Sequence, residues 1–186
     1  MTAQPCRKDT NHPVQGVHPG EAGQSCLEYL LQGRDTVPDE SGVFLAITRR
    51  MHSRICSFVS GICYEDRLHA FPETEFRVLV PQNAQTVQIP AGLLFVPVPY
   101  EGNSQGSDEE VARVSELVDE LLGSVNYHDG IQTRRLTEKD LLIVAPYNMQ
   151  VRKLKQRLPA LHVGTVDKFQ GQEAPRCYLL NVCQRQ

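Results

Sequence analysis

The 186 residues carry 40% apolar and 22% charged side chains, ordinary proportions for a globular chain able to bury a substantial core. A formal net charge of −3 excludes a chain-wide electrostatic footprint for nucleic acid, so any such contact must come from local basic groups. Six cysteines without a Cys-x-x-Cys pair argue against a zinc knuckle or dithiol redox motif. The polar start MTAQPCRKDT lacks the apolar stretch of a signal peptide, and no apolar run approaches a membrane span. The expectation is a soluble, cytoplasmic protein with reduced thiols and no membrane partner.

Residues 1–42 are rich in Pro, Gly, Gln and Thr and read as a partly irregular N-terminal segment. Within them Cys26-Leu27-Glu28-Tyr29-Leu30-Leu31 predicts a short helix that starts near Ser25 and ends at Gly33. His12 and His18 each precede a proline and have no further ligands at metal spacing, so they read as loop histidines. Residues 43–186 read as one α/β domain. Val43 to Ile47 is a β-type run, followed by Arg49-Arg50-Met51-His52. The spacing of Ile55, Phe58, Val59 and Ile62 predicts a helix with those four on one face.

Phe71 to Ala91 is polar and broken by proline, with a short strand expected at Arg77-Val78-Leu79-Val80. Gly92 to Val98 predicts a second strand, confined by its prolines to an edge or a strand end. Ser107-Asp108-Glu109-Glu110 has the Ser-x-x-Glu form of a capping box. Val111, Val114, Leu117, Val118, Leu121 and Leu122 then recur at helical spacing, with Gly123 as the expected stop. Inside this helix Leu117-Val118-Asp119-Glu120 imitates the acidic end of a Walker B strand. An acid that holds Mg²⁺ must end a strand, so the helical context rules it out as a catalytic site.

Ser124 to Arg135 reads as a polar loop. Leu141-Leu142-Ile143-Val144-Ala145 is the continuous apolar run of a central parallel strand. Pro146-Tyr147-Asn148-Met149-Gln150 follows it and opens a helix with Val151, Leu154 and Leu158 on one side. Arg152, Lys153, Lys155 and Arg157 make this helix the most basic surface in the chain. Val163 to Val166 reads as the end of a further buried strand, leading into Asp167-Lys168-Phe169 and the turn Gln170-Gly171-Gln172-Glu173. In open α/β sheets ligands gather at such strand ends. Thr165 can donate to a phosphate oxygen there, Gly171 allows close backbone approach, and Glu173 can accept from a sugar diol. Arg176 to Val182 predicts one more strand.

Residues Thr165-Val166-Asp167-Lys168-Phe169-Gln170-Gly171-Gln172-Glu173 closely resemble motif V of superfamily 1 helicases, in the subgroup whose motif reads T-V-D-x-F-Q-G-x-E. Arg50-Met51-His52, with the ending Tyr64-Glu65-Asp66-Arg67-Leu68, resembles motif IV of the same helicases, and Pro146 to Gln150 resembles their P-Y-x-x-Q. The segment HPGEAGQSCLEYLL resembles the stretch after motif III, at the end of the first RecA-like domain. The resemblance implies a RecA-like second domain of a superfamily 1B ATP-dependent helicase, in the group associated with RecB-like nucleases, with a mainly parallel sheet. It further implies a γ-phosphate contact for Arg50, nucleotide contacts for Gly171 and Glu173, and single-stranded DNA or RNA contacts for Thr165, Tyr147 and Gln150. ATP and Mg²⁺ are implied by resemblance alone.

No glycine in the sequence is followed by lysine, so the phosphate-binding loop G-x-x-x-x-G-K-[ST] is missing, as are a strand-end Walker B acid and the motif VI arginine. The expectation is a domain truncated before motif VI and inactive alone, because phosphoryl transfer rests on positioning and charge stabilisation. A separate chain carrying the P-loop domain is the expected partner. A non-catalytic nucleic-acid-binding or partner-completing module, and a non-functional gene remnant, stand as alternatives.

Overall fold

The computed structural model describes residues 26–31, 33–99, 105–169 and 177–180, and the chain divides into two units, Met1–Glu75 and Phe76–Gln186. In the first unit, α1 (Cys26–Leu31) is closed by Gly33, whose φ of +80 is open to glycine at no steric cost. Strand β1 (Ile47–Thr48) pairs in parallel with β2 (His69–Ala70), Ile47 opposite His69 and Thr48 opposite Ala70. The expected strand over Val43 to Ile47 is therefore much shorter. Val43, Leu45 and Ile47 are exposed, and only the Ala46 C=O, accepting from His69 N–H at 2.7 Å, joins Ile47 and Thr48 in the pairing.

Helix α2 (Ser53–Cys63) forms where its apolar spacing predicts, but it turns a different stripe inward. Cys56 and Ser60 are buried, whereas Phe58 and Ile62 are exposed. Hydrogen bonding explains the rotation. The Ser60 hydroxyl accepts from Leu68 N–H at 3.0 Å, and the Cys56 thiol donates to Leu68 C=O at 3.5 Å. After α2 the chain turns through Glu65 and Asp66, both left-handed with φ of 54 and 60. Non-glycine residues resist this region unless neighbours hold them there. Here the Glu65 carboxylate accepts from Thr36 Oγ1 (2.8 Å) and Asp35 N–H (3.1 Å), while Arg67 donates to Thr36 and Asp39.

The second unit holds a three-stranded antiparallel sheet of β3 (Arg77–Pro81), β4 (Val125–Asp129) and β5 (Thr133–Arg135), in that spatial order. The segment read from sequence as a polar loop, Ser124 to Arg135, is thus a hairpin. Its turn has a local cause: Asp129 Oδ1 accepts the N–H groups of Ile131 and Gln132 at 2.9 Å each, and Gly130 takes φ +101. Gly92 to Val98, read as a strand, joins no ladder among the described residues; Pro97 removes a donor from that run, and Leu93 to Phe95 are exposed.

Helix α3 (Asp108–Ser124) begins at Ser107, whose side chain accepts from Glu110 N–H at 3.1 Å. It runs through Gly123 instead of stopping there and passes directly into β4. Its inner face meets β6 (Leu141–Val144), α4 (Asn148–Arg157) and β7 (His162–Gly164) in one core around Leu121, Ile143 and Leu154. β6 is buried at every position and is the centre strand of a parallel sheet ordered β7-β6-β8, with β8 at Cys177–Leu180. A short helix, α5 (Val166–Phe169), follows β7. Parallel pairing is therefore present around the expected central strand, but beside it stands a separate antiparallel sheet of equal strand number.

One ion pair fastens β5 to the start of β6. Asp140 is buried and accepts two bonds from the Arg134 guanidinium, at 2.8 and 2.6 Å, with two more from Thr137 N–H and Oγ1. The guanidinium bonds, with Thr137, hold its carboxyl at about 2, below the ordinary 3.8. A carboxyl lowered by folding contributes stability above its unfolded value and loses it as pH falls through the folded one. That difference corresponds to about 2 kcal/mol. Asp140→Asn is expected to reduce the urea-unfolding free energy by about 2 kcal/mol at pH 7, with the gap to wild type closing between about pH 4 and pH 2. A gap of the same size at the acid end contradicts this account.

Candidate functional site

Parallel pairing of β6 with β7 points both strands to one edge. The register sets Val144 opposite Gly164, and Ala145 N–H donates to Gly164 C=O at 3.0 Å. Two segments leave the sheet side by side at that edge, Pro146-Tyr147 from β6 and Thr165 from β7. This is the sheet edge at which open α/β folds place ligands. Tyr147 is 43% exposed in extended backbone ahead of α4. Thr165 is half-buried, and its C=O accepts from Lys168 N–H at 3.2 Å to start α5. The strand expected to continue to Val166 stops at Gly164, and Val166 is the first residue of α5.

Gly164 closes β7 at that turn and is closely packed by the residues that follow. A Cβ built there meets the Phe169 ring at 2.8 Å and Lys168 Cδ at 2.9 Å. Both contacts are closer than real Cβ atoms approach, so a side chain at 164 forces the Phe169 ring and the Lys168 side chain to shift from the strand end that carries Thr165. Spacing alone marks Gly164 as a strand residue. Its tight neighbours emerge only when Phe169 folds back over it.

Gln150 lies at the same edge in sequence but not at the surface. It is 2% exposed, with Oε1 accepting from Ser107 N–H at 2.8 Å and Nε2 donating to Ser107 C=O (3.2 Å) and the Glu110 carboxylate (3.3 Å). The Ser107 N–H, which a reciprocal capping box would offer to Glu110, goes to Gln150 instead. The amide ties the first turn of α4 to the first turn of α3. Lys153 adds a second tie, reaching Asp108 at 2.8 Å.

Arg50 belongs to the first unit, in the bend between β1 and α2. It is exposed, and its N–H donates to Thr48 Oγ1 at 3.3 Å. Its neighbours are held on either side. The Arg49 guanidinium stacks over the Phe71 ring at 4.0 Å. His52 caps α2 by accepting Arg54 N–H on Nδ1 at 3.2 Å, and its Nε2 lies 3.5 Å from the Glu75 carboxylate. Accepting on Nδ1 places the ring proton on Nε2, where it faces Glu75. Neither Arg49 nor His52 stood out in the sequence as a support for Arg50. Gly171 and Glu173 lie outside the described residues.

The Walker B imitation is indeed helical, within α3. Glu120 there accepts the N–H groups of Thr86 (2.7 Å) and Val87 (2.9 Å), which fixes a loop. Among the described residues no three His, Cys, Asp or Glu side chains are grouped as a metal site, and no helix is long and apolar enough to cross a membrane.

The family described as AAA domain matches residues 22–185. The DNA-binding protein SMUBP-2 of Rattus norvegicus is 30% identical over 144 residues, 69% of this chain and 14% of that protein. The DNA polymerase alpha-associated DNA helicase A of Schizosaccharomyces pombe is 30% identical over 143 residues, 70% of this chain and 21% of that protein. The chain thus spans well under a quarter of the length of these relatives.

Gln150→Leu keeps the side-chain size but removes the amide's bonds to both backbone groups of Ser107 and to the Glu110 carboxylate. Unfolding stability is expected to fall by about 1–3 kcal/mol, the cost of stranding buried polar groups. Urea denaturation measures it, and a loss below about 0.5 kcal/mol, the range of ordinary surface substitutions, argues against the tie.

Proposed function

We propose, from a chain that belongs to the AAA domain family and has the superfamily 1 helicase type of domain, that it acts as the second RecA-like wall of an ATP-dependent helicase motor. The observation that carries this reading is the shared edge of β6 and β7, where Tyr147 and Thr165 leave the sheet together. In this reading Thr165 donates to the phosphate backbone of single-stranded DNA or RNA, and the exposed Tyr147 ring offers a base a stacking face. Gln150 positions that edge from below through Ser107. Arg50 faces the γ-phosphate of ATP, with a guanidinium fork suited to phosphate oxygens. Gly171 and Glu173 complete the nucleotide contacts.

The exposed Arg50 suits a phosphate, but the sequence has no Gly-Lys pair. Mg²⁺ and the cradle for the β- and γ-phosphates therefore come, in this reading, from a P-loop-bearing partner domain. In this reading the 186 residues bind and couple, and hydrolysis needs the partner domain.

Purified chain supplied with ATP, Mg²⁺ and single-stranded DNA is expected to release no phosphate above background. Turnover in the range of about 1–100 s⁻¹ usual for phosphoryl-transfer enzymes overturns the proposal. Fluorescence anisotropy with a labelled single strand is expected to show binding that Thr165→Ala weakens about fivefold, the worth of one hydrogen bond of about 1 kcal/mol. In complex with a P-loop-bearing domain, Arg50→Ala is expected to cut hydrolysis by about 10³-fold or more while leaving strand binding in place.

A further inference from the structure

The acidic and basic charges of the second unit are separated onto neighbouring helices. α3 carries Asp108, Glu109, Glu110, Glu116, Asp119 and Glu120 against a single Arg113, whereas α4 has Arg152, Lys153, Lys155 and Arg157 and no acid. Lys153 is paired with Asp108. Arg152 and Lys155 are exposed and have no ion pair or side-chain hydrogen bond among the described residues. Three residues apart, they lie on the same side of the helix, with Gln156 beside them. Like charges at this spacing repel, and the helix holds no acid to offset them. The dipole of α4 favours cations in its last turn, which accounts for Lys155 and Arg157 but not for Arg152 in mid-helix. The same helix starts beside the exposed Tyr147 ring.

We infer that the outer side of α4 is a phosphodiester-binding tract, on which Arg152 and Lys155 each contact a backbone phosphate of a single strand that stacks a base on Tyr147. This rests on the nucleic-acid reading above and extends it from the strand ends onto the helix. An aromatic side chain at the start of a helix whose exposed cations have no ion pair among the described residues supplies the two parts, stacking and backbone charge, that hold a single strand without reading its sequence.

The test is anisotropy of the full chain with labelled oligo(dT) and oligo(U) over a NaCl series. Each phosphate contact to a single strand contributes about 0.7 to the slope of log K against log salt. Arg152→Gln/Lys155→Gln is expected to make that slope shallower by about 1.4, and Arg152→Gln alone by about 0.7. The charge-matched control Arg135→Gln/Lys139→Gln is expected to leave the slope at the wild-type value. A change on both probes assigns the contact to the shared phosphodiester chemistry, and a change on one assigns it to that sugar. Wild-type binding with a slope untouched by the α4 substitutions overturns the tract alone and leaves the Thr165 edge standing. An equal drop in the control reduces the effect to net charge and overturns the tract as well. Failure of wild type to bind either probe removes the nucleic-acid reading and the tract with it.

Discussion

Everything in the second unit follows from the complete burial of β6. Four consecutive apolar residues, each hidden from water, leave the strand's backbone groups no solvent to bond with. Strands on both sides must satisfy them, and β7 and β8 do so in parallel. Parallel neighbours need a crossover, which α4 provides between β6 and β7. Both strands must then end at one edge. The placement of Tyr147 near Thr165 is a consequence of core burial, not a separate feature of the site.

The buried polar contacts fix orientation where the apolar core cannot. Burial of Val151 and Leu154 presses α4 onto the sheet through apolar contacts, which carry no direction of their own. The Gln150 amide, bonded to both backbone groups of Ser107, ties α4 to the start of α3. Such a network tolerates little displacement, because each unmet group in the interior is costly. In the first unit the Glu65, Thr36 and Arg67 cluster has a comparable part, holding two left-handed residues at the end of α2.

Long, strongly periodic elements were readable in the sequence, and short ones defined by partners were not. The spacing of Val111 to Leu122 and the run Leu141 to Val144 each predict an element that exists, because burial of a whole face or strand leaves a pattern. The Val125–Asp129 and Thr133–Arg135 hairpin was missed, since its polar residues read as loop; Asp129-Gly130 was the available signal. Gly92 to Val98 is the opposite case, as its composition suits a strand but it pairs with no strand among the described residues. The inward stripe of α2 was misjudged because Ser60 and Cys56 are buried through bonds to Leu68, which hydrophobic spacing does not record. At the candidate site Thr165 and Tyr147 were visible as residue types at a strand end. The roles of Gly164 and Gln150 were not, because they depend on Phe169 and Ser107 coming near in space.

This division between pattern and contact separates stability from function in the site itself. Ile143, Leu154 and Leu121 are almost wholly buried and hold the unit together, but none of them reaches the edge where Tyr147 and Thr165 sit. Tyr147 and Arg50 are exposed, so losing either side chain removes little buried apolar area. Two residues belong to both sets. Gly164 is part of the β7 ladder and also makes room for α5, and Gln150 is buried in the core network while it positions the start of α4. Substitution of the exposed side chains at this edge thus leaves the core intact, whereas substitution of Gln150 breaks into its buried polar network.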